Sequence, residues 1–294
     1  MKTSIIVSIY NKKTEVIPMI DKMFFPSLLN NASKDKEVII LDNGSPLKDE
    51  TKELIHKYLP ILNSKFGRVV FSRAPVNLGF GGGYNLASSL AKGKYILLAS
   101  DDLYFPEKSI DSLIGLLENH KNVGLIGPIT GWRDSSTFQY CKQGPELKEY
   151  SKENFKKIEE FAQKIRIALK NQEFRKTKFI TGFCLAFKKE AFDNVGGFDE
   201  QFLFGHLEDT DLVKKISKQY DCVIAPSDYI HHGGIEGGSL SIKQDFLKLK
   251  KSRIINSWRY IKKWGLFDFL WLQIHSVYCY YGFGTISSTV KKII

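Results

Sequence analysis

The chain predicts an α/β fold with a mostly parallel central sheet and helices on both faces. Three observations carry this. Short β-branched and apolar runs at 3–8, 37–41, 69–71 and 95–99 alternate with segments of helical apolar spacing, an alternation that argues for parallel strands joined by crossover helices. The runs are short and apolar, as in strands buried on both faces. Three runs end in polar, small or acidic clusters at 8–11, 42–45 and 100–102. Their carboxyl ends then share one edge of the sheet, where open α/β sheets bind ligands. At 294 residues, 43% hydrophobic and 26% charged, the chain can form one large domain or a domain with an extension.

Taken in order, TSIIVS (3–8) is the first strand, and Val16, Ile17, Ile20, Met23 and Phe24 space a helix over 14–30. EVIIL (37–41) is the second strand, ending in Asp42-Asn43-Gly44-Ser45 and followed by a helix over 49–62. A short third strand spans 69–71. The run NLGFGGGYN (77–85) opens a helix reaching Leu90. It fits neither a dinucleotide fingerprint nor a P-loop. Its glycines permit close backbone approach to a ligand, or form a plain helix-entry loop. Tyr10 and Phe80 are candidates to stack on a base, although aromatics at strand ends are more often core.

The central strand, 95–99, ends in Ser100-Asp101-Asp102, with a helix starting near Pro106. Two adjacent carboxylates cannot both be buried unpaired, because desolvation costs several kcal/mol per ion. Hard divalent cations bind through one or two carboxylates plus substrate phosphate oxygens, so this stretch reads as a metal–diphosphate site. A solvated Asp-Asp turn is the plain alternative. A strand at 123–129 follows, then a Lys/Glu-rich helical insertion over 145–178 with Phe155, Ile158, Phe161, Ile165 and Leu169 on one face. FITGFCLAF (179–187) is a strand, 188–194 a short helix and 196–200 a turn. Glu208-Asp209-Thr210-Asp211 begins a helix whose acidic start suits the macrodipole. A strand at 222–225 and the pair His231-His232 complete the unit.

The motifs VSIYN, LDNGS, NLGFGGGYN, SDD, TGFCLAFKKEAFDNVGGFDEQFLFGHLEDTDL and IHHGG, in this order over roughly 3–240, resemble those of the family-2 glycosyltransferases. These are inverting, nucleotide-sugar-dependent enzymes with the GT-A fold. The Gly-rich loop and late His-Gly-Gly look most like the rhamnosyltransferase-type branch. The resemblance implies a catalytic domain over 1–245 that moves a sugar from a dTDP- or UDP-sugar to a hydroxyl of a surface polysaccharide or lipid-linked glycan, with Mg²⁺ or Mn²⁺ as cofactor. It implies Asp209 as general base, with Glu208 positioning the acceptor. Asp42 is expected to recognise the nucleoside, and Ser8, Tyr10, Asn11, Asn77, Gly79, Gly83, Asn85, Asp101, Thr181 and Gly182 to line the donor. Asp102 is the implied metal carboxylate, joined by His231; His232 competes for that place, and Asp101 is a further carboxylate at hand. Asp211 and the 198–200 turn are expected to be structural. Ser100 departs from the family, which has Asp or Asn at that position. A catalytically inactive module of the same fold, binding nucleotide sugar or glycan as a scaffold, is the alternative; Ser100 favours it and Glu208-Asp209 opposes it.

The formal charge of +11 is concentrated at the end of the chain. From Lys248 onward there are nine Lys or Arg and one acid, Asp268. Trp258, Trp264, Trp271, Tyr278, Tyr280 and Tyr281 are interleaved with these basic residues, and no charged residue occurs over 269–290. Gln273, His275, Gly282 and Gly284 make that stretch a poor membrane span. A helical extension over 246–294, lying on an anionic membrane surface, is expected; packing on the catalytic domain or in a homo-oligomer is the alternative. No nucleic-acid motif occurs, so nucleic acid is not an expected partner. Residues 5–9 are too short for a leader, which places the expected site of action in the cytoplasm, on the membrane's inner face. Cys141, Cys184, Cys222 and Cys279 form no CxxC and are expected as free thiols without zinc.

Overall fold

The computed structural model describes residues 1–131, 138–202, 205–233, 246–280 and 290. Ten strands are found among them: β1 (Thr3–Ile9), β2 (Lys36–Asp42), β3 (Arg68–Arg73), β4 (Tyr95–Ala99), β5 (Leu103–Tyr104), β6 (Val123–Ile129), β7 (Arg175–Lys176), β8 (Cys184–Lys188), β9 (Asp221–Tyr229) and β10 (His231–His232). Eight of them form one sheet in the order β3-β2-β1-β4-β8-β6-β9-β7. The run β3-β2-β1-β4 is parallel throughout, as is β6 with β9. The interior of β1, β2 and β4 (Ile5, Ile6, Val38, Ile39, Leu97 and Leu98) is fully buried. Each such side chain contributes about 1.5–3 kcal/mol by leaving water.

Two strands reverse direction. β8 is antiparallel to both neighbours, β4 and β6, and β7 is antiparallel to β9. An apolar run carries no sign of its direction, so the pattern gave the strands but not these reversals. The expected strand over 179–187 is shorter than its apolar run. Only Cys184–Lys188 is extended in the sheet, and 179–183 is irregular chain that passes the site.

The helices are α1 (Lys48–Lys65), α2 (Gly79–Ser89), α3 (Ser109–Asn119), α4 (Lys152–Ala168), α5 (Lys189–Asn194), α6 (Glu208–Ile216), α7 (Phe246–Trp264) and α8 (Leu266–Tyr280). The expected helix over 14–30 is a composite: a 3₁₀ turn, a short α segment, a π turn at Ile20–Phe24 and then Phe25–Leu29. Pro18 and Pro26 remove backbone donors from this segment, and wider or tighter turns absorb such interruptions. The 145–178 insertion shortens to α4, capped by the Ser151 hydroxyl. Ile158, Phe161 and Ile165 point into the core as their spacing predicts, and α4 packs on β9.

The last two helices are present as the tail pattern implies. Tyr260 and Leu272 are buried with Phe179, Phe202 and Leu207 of the main body. No described helix is long and apolar enough to cross a membrane. Cys141, Cys184 and Cys222 are buried free thiols; the Cys279 side chain lies outside the described residues.

Candidate active site

The parallel order β2-β1-β4 brings the ends of those strands to one edge, where Ser8, Tyr10 and Asn11 follow or end β1, Asp42 ends β2, and Ser100 to Asp102 follow β4. Asp102 is buried. The β5–β10 ribbon pairs His231 with Tyr104 and His232 with Leu103. That pairing carries the histidines to the aspartates. His232 Nε2 lies 3.5 Å from Asp102 Oδ2, and the backbone N–H of Gly233 donates to the Asp102 carbonyl at 3.0 Å. Asp102 Oδ1 and His231 Nε2 are buried with no hydrogen-bond partner among the described residues. His231 Nδ1 lies 3.1 Å from the Tyr229 hydroxyl. Burial, with the neighbouring His232, pushes the His231 pKa down to about 4. Its imidazole is therefore neutral near pH 7, the form that ligates metals. Tyr84 is fully buried nearby and donates to the Ala99 carbonyl at 2.8 Å.

A second group of carboxylates is carried by the later part of the chain. Glu208 and Asp209 open α6, where unbonded N–H groups favour negative charge. Leu207 precedes them with φ 72°, a left-handed conformation rare for a branched side chain. Asp209 is half-buried. Its Oδ2 accepts from the Gly182 N–H at 2.8 Å, and its Oδ1 accepts from the Thr210 N–H at 2.6 Å and hydroxyl at 3.3 Å. Glu208 is buried and accepts from the His206 N–H. Burial, then the charge of Asp209, raises Glu208 to about 8. Burial also raises Asp209. With three donors against one, Asp209 is the member that stays ionised near neutral pH, and Glu208 holds the shared proton.

The segment 181–183 joins the two groups. Gly182 holds Asp209, the Phe183 carbonyl accepts from Ser100 N–H at 2.9 Å, and the Phe183 ring stacks on His232 at 4.8 Å. Thr181 N–H donates to Gln139 Oε1 at 2.7 Å. A side chain at 182 would press on the Phe80 ring and on Asp209, one of which would have to shift.

Several residues expected to line the donor are instead engaged within the protein. Asp42 is fully buried, paired with Arg73 through the parallel register that places them side by side and accepting from Ser45 N–H at 2.9 Å. Asn11 is buried and donates to Thr51 and, through its backbone, to Ser45. Gly83 faces Asn43 and Ser8 of the protein, not open space. Asn85 accepts from Phe198 N–H and donates to the Phe198 carbonyl and Glu200, so it fastens the 198–200 turn. Asn77 caps the bend at Gly79, where φ is 75°. Phe80 is half-buried and packs on Tyr84 and Phe198. Asp101 is buried beside Asp102, and Ser8 and Tyr10 are half-buried. Among the described residues no three His, Cys, Asp or Glu form a ready metal cluster. Sequence reasoning did not single out Asn43, Arg73, Gln139 or Phe183. Each acts through a partner far along the chain, and only Asn43 had a local signal, its place in the strand-end cluster 42–45.

The sequence model for Glycosyl transferase family 2 matches residues 4–196. An N-acetylglucosaminyl-diphospho-decaprenol L-rhamnosyltransferase of Mycobacterium tuberculosis is 24% identical over 245 residues, covering 74% of this chain and 76% of that protein. An uncharacterized glycosyltransferase of Methanocaldococcus jannaschii is 29% identical over 155 residues, covering 52% of this chain and 47% of that one, so the chain spans about half of this relative. Among solved structures, a mannosyltransferase of Pyrobaculum calidifontis in complex with GDP-Man and Mn²⁺ superposes with a TM-score of 0.57 at 15% identity, over 89% of this chain and 64% of that chain. Staphylococcus aureus TarS 1–349 in complex with UDP-GlcNAc gives 0.55 at 16% identity, over 87% and 66%. At these identities the likeness is one of fold.

Proposed function

Since the chain belongs to glycosyl transferase family 2, we propose that it transfers a sugar, with inversion, from a dTDP- or UDP-sugar to a hydroxyl of a surface polysaccharide or lipid-linked glycan. The observation that carries this reading is an ionisable, half-buried Asp209 held by Gly182, next to Phe183, whose ring stacks on the His232 that lies beside Asp102. In the proposed step Asp209 takes the proton of the acceptor hydroxyl as its oxygen bonds to the anomeric carbon. The bond from that carbon to the diphosphate breaks, and its electron pair leaves with the diphosphate. A neutral Glu208 beside the base keeps the second negative charge out of the pocket while the acceptor is bound. The catalytic domain is proposed to span 1–245.

Asp102 Oδ1 and His231 Nε2, two buried ligand-type atoms without a partner, fit a divalent cation. Asp102 with His231 or His232 would hold it, and substrate phosphate oxygens would complete the set. When bound, Mg²⁺ or Mn²⁺ supplies charge neutralisation for the leaving diphosphate. Ser8, Tyr10, Asn77 and Asp101 are proposed to border the donor. The lipid-linked acceptor in the name of the mycobacterial relative supports an acceptor of that class, and the proposal places the reaction at the inner face of the membrane.

A thermal-shift panel of UDP, dTDP, GDP and CDP, each with and without Mn²⁺, tests the reading, because a ligand bound only by the folded state raises its melting temperature. A metal-dependent shift with one nucleotide supports it. No shift with any of them would overturn it in favour of the scaffold reading, which Ser100 favours.

A further inference from the structure

The tail helices have two unlike faces. Their inner face grips the catalytic wall. Asn256 donates to the His206 carbonyl at 3.0 Å, and Lys263 bridges Asp199 and the buried Asp211 at 2.7 and 2.9 Å. Trp264 Nε1 donates to Asp211 at 2.8 Å. The outer face is apolar and open: Ile254, Trp258, Phe267, Leu270, Trp271 and Ile274 are exposed, Phe267 at 90%. Ile254 and Trp258 are four residues apart on α7, and Phe267, Trp271 and Ile274 follow helical spacing on α8, so each helix shows a stripe. Isolated exposed apolar residues are ordinary; two such stripes joined at Gly265 mark an interaction face.

Charge decides the occupant. Lys250, Lys251 and Lys262 are exposed beside the α7 stripe, with Lys262 Nζ 5.5 Å from the Trp258 ring. The single acid of the tail, Asp268, is turned inward, where it accepts from Tyr260 at 2.6 Å and pairs with the buried Lys214. The described outer face therefore carries cations and aromatics with no carboxylate. A second copy of this chain would bring the same cations into contact with one another. An anionic bilayer meets both features at once, since aromatic and aliphatic side chains enter the interfacial layer and each lysine adds attraction.

We propose that α7 and α8 form a docking face for an anionic lipid surface. Because their inner face holds the loop and helix that carry Glu208 and Asp209, the docked enzyme presents its base in a fixed orientation to the lipid surface. This deepens the lipid-linked acceptor reading, yet its test needs no sugar transfer.

The full chain is sedimented with vesicles of phosphatidylcholine alone or containing phosphatidylglycerol, beside the variant Trp258→Ser/Phe267→Ser and the variant Lys250→Gln/Lys251→Gln/Lys262→Gln. All substituted positions are exposed, and melting curves confirm that each variant is folded. Expected are selective binding to the anionic vesicles and about tenfold or greater loss in either variant. The nucleotide-induced thermal shift should be unchanged, which separates this proposal from the donor site. Equal binding to both vesicle types, or no binding to either, would overturn it. So would a concentration-dependent dimer that Trp258→Ser/Phe267→Ser dissociates while vesicle binding is unaltered.

Discussion

The two walls of the site differ in how their polar atoms are used. On the early wall, built by β1, β2 and α2, Asp42 is paired with Arg73 and Asn43, Asn77 and Asn85 are bonded to backbone, with Asn11 Oδ1 the exception among the described residues. On the late wall and at the end of β4, atoms are left for use. Asp102 Oδ1 and His231 Nε2 lack partners among the described residues, and Glu208 is raised to about 8. Buried polar groups are normally satisfied, and the exceptions call for an explanation. The contrast separates motif residues that build the cleft from those with reactive capacity left over.

Asp209→Asn should break the late wall hardest. The amide oxygen can still accept from Gly182, so the fold should hold, while transfer to acceptor falls by about 10²–10⁴. Near-normal turnover with an intact melt would remove Asp209 from the role of base. Next, Asp102→Asn should weaken metal-dependent nucleotide binding by at least about 10–100-fold in calorimetry, with little metal-independent change. Asn85→Ala sharpens the contrast from the other side. It leaves the Phe198 N–H and carbonyl unsatisfied, so about 1–3 kcal/mol of stability should be lost in denaturant melts, with nucleotide affinity within about twofold after correction for unfolded protein.

A further effect is in the pH dependence of stability. Glu208 titrates near 8 when folded, against 4.5 ordinarily. Between those values the folded state keeps a proton that the unfolded chain has released, so stability falls as pH rises through that window. Glu208→Gln should flatten the fall in melting temperature between about pH 5 and 9. His231 has the opposite sign. Held near 4 against 6.5, it binds fewer protons when folded, and stability falls as pH drops through that range.

The ligand edge was legible because apolar runs that end in polar clusters leave few other arrangements. The motif order implied Asp102, Asp209 and the histidines as site residues; the ribbon brings His232 to Asp102, and the 181–183 segment holds Asp209 through Gly182. The internal fastenings were not legible. Asp42 meets Arg73 only through strand register, and Asn85 meets Phe198 only after the chain has crossed the sheet. The reversed direction of β8 was hidden for a similar reason, since Cys184 to Lys188 is equally apolar read either way. Burial of Glu208 was also unreadable, because an acidic helix start is usually solvated.

The β5–β10 ribbon has a further consequence, for synthesis. Asp102 and His231 are separated by much of the chain, and at about 5–20 residues per second they emerge from the ribosome roughly 6–26 s apart. β4 lies between β1 and β8 in the sheet, so for much of that interval it is an open strand edge ending in carboxylates, available for mispairing. A nascent chain halted before residue 231 would possess the parallel strands β3-β2-β1-β4 and neither histidine of the ribbon. Under the proposed function, a product that ends before the ribbon is made lacks His231 and His232, and with them the histidine side of the proposed cation site.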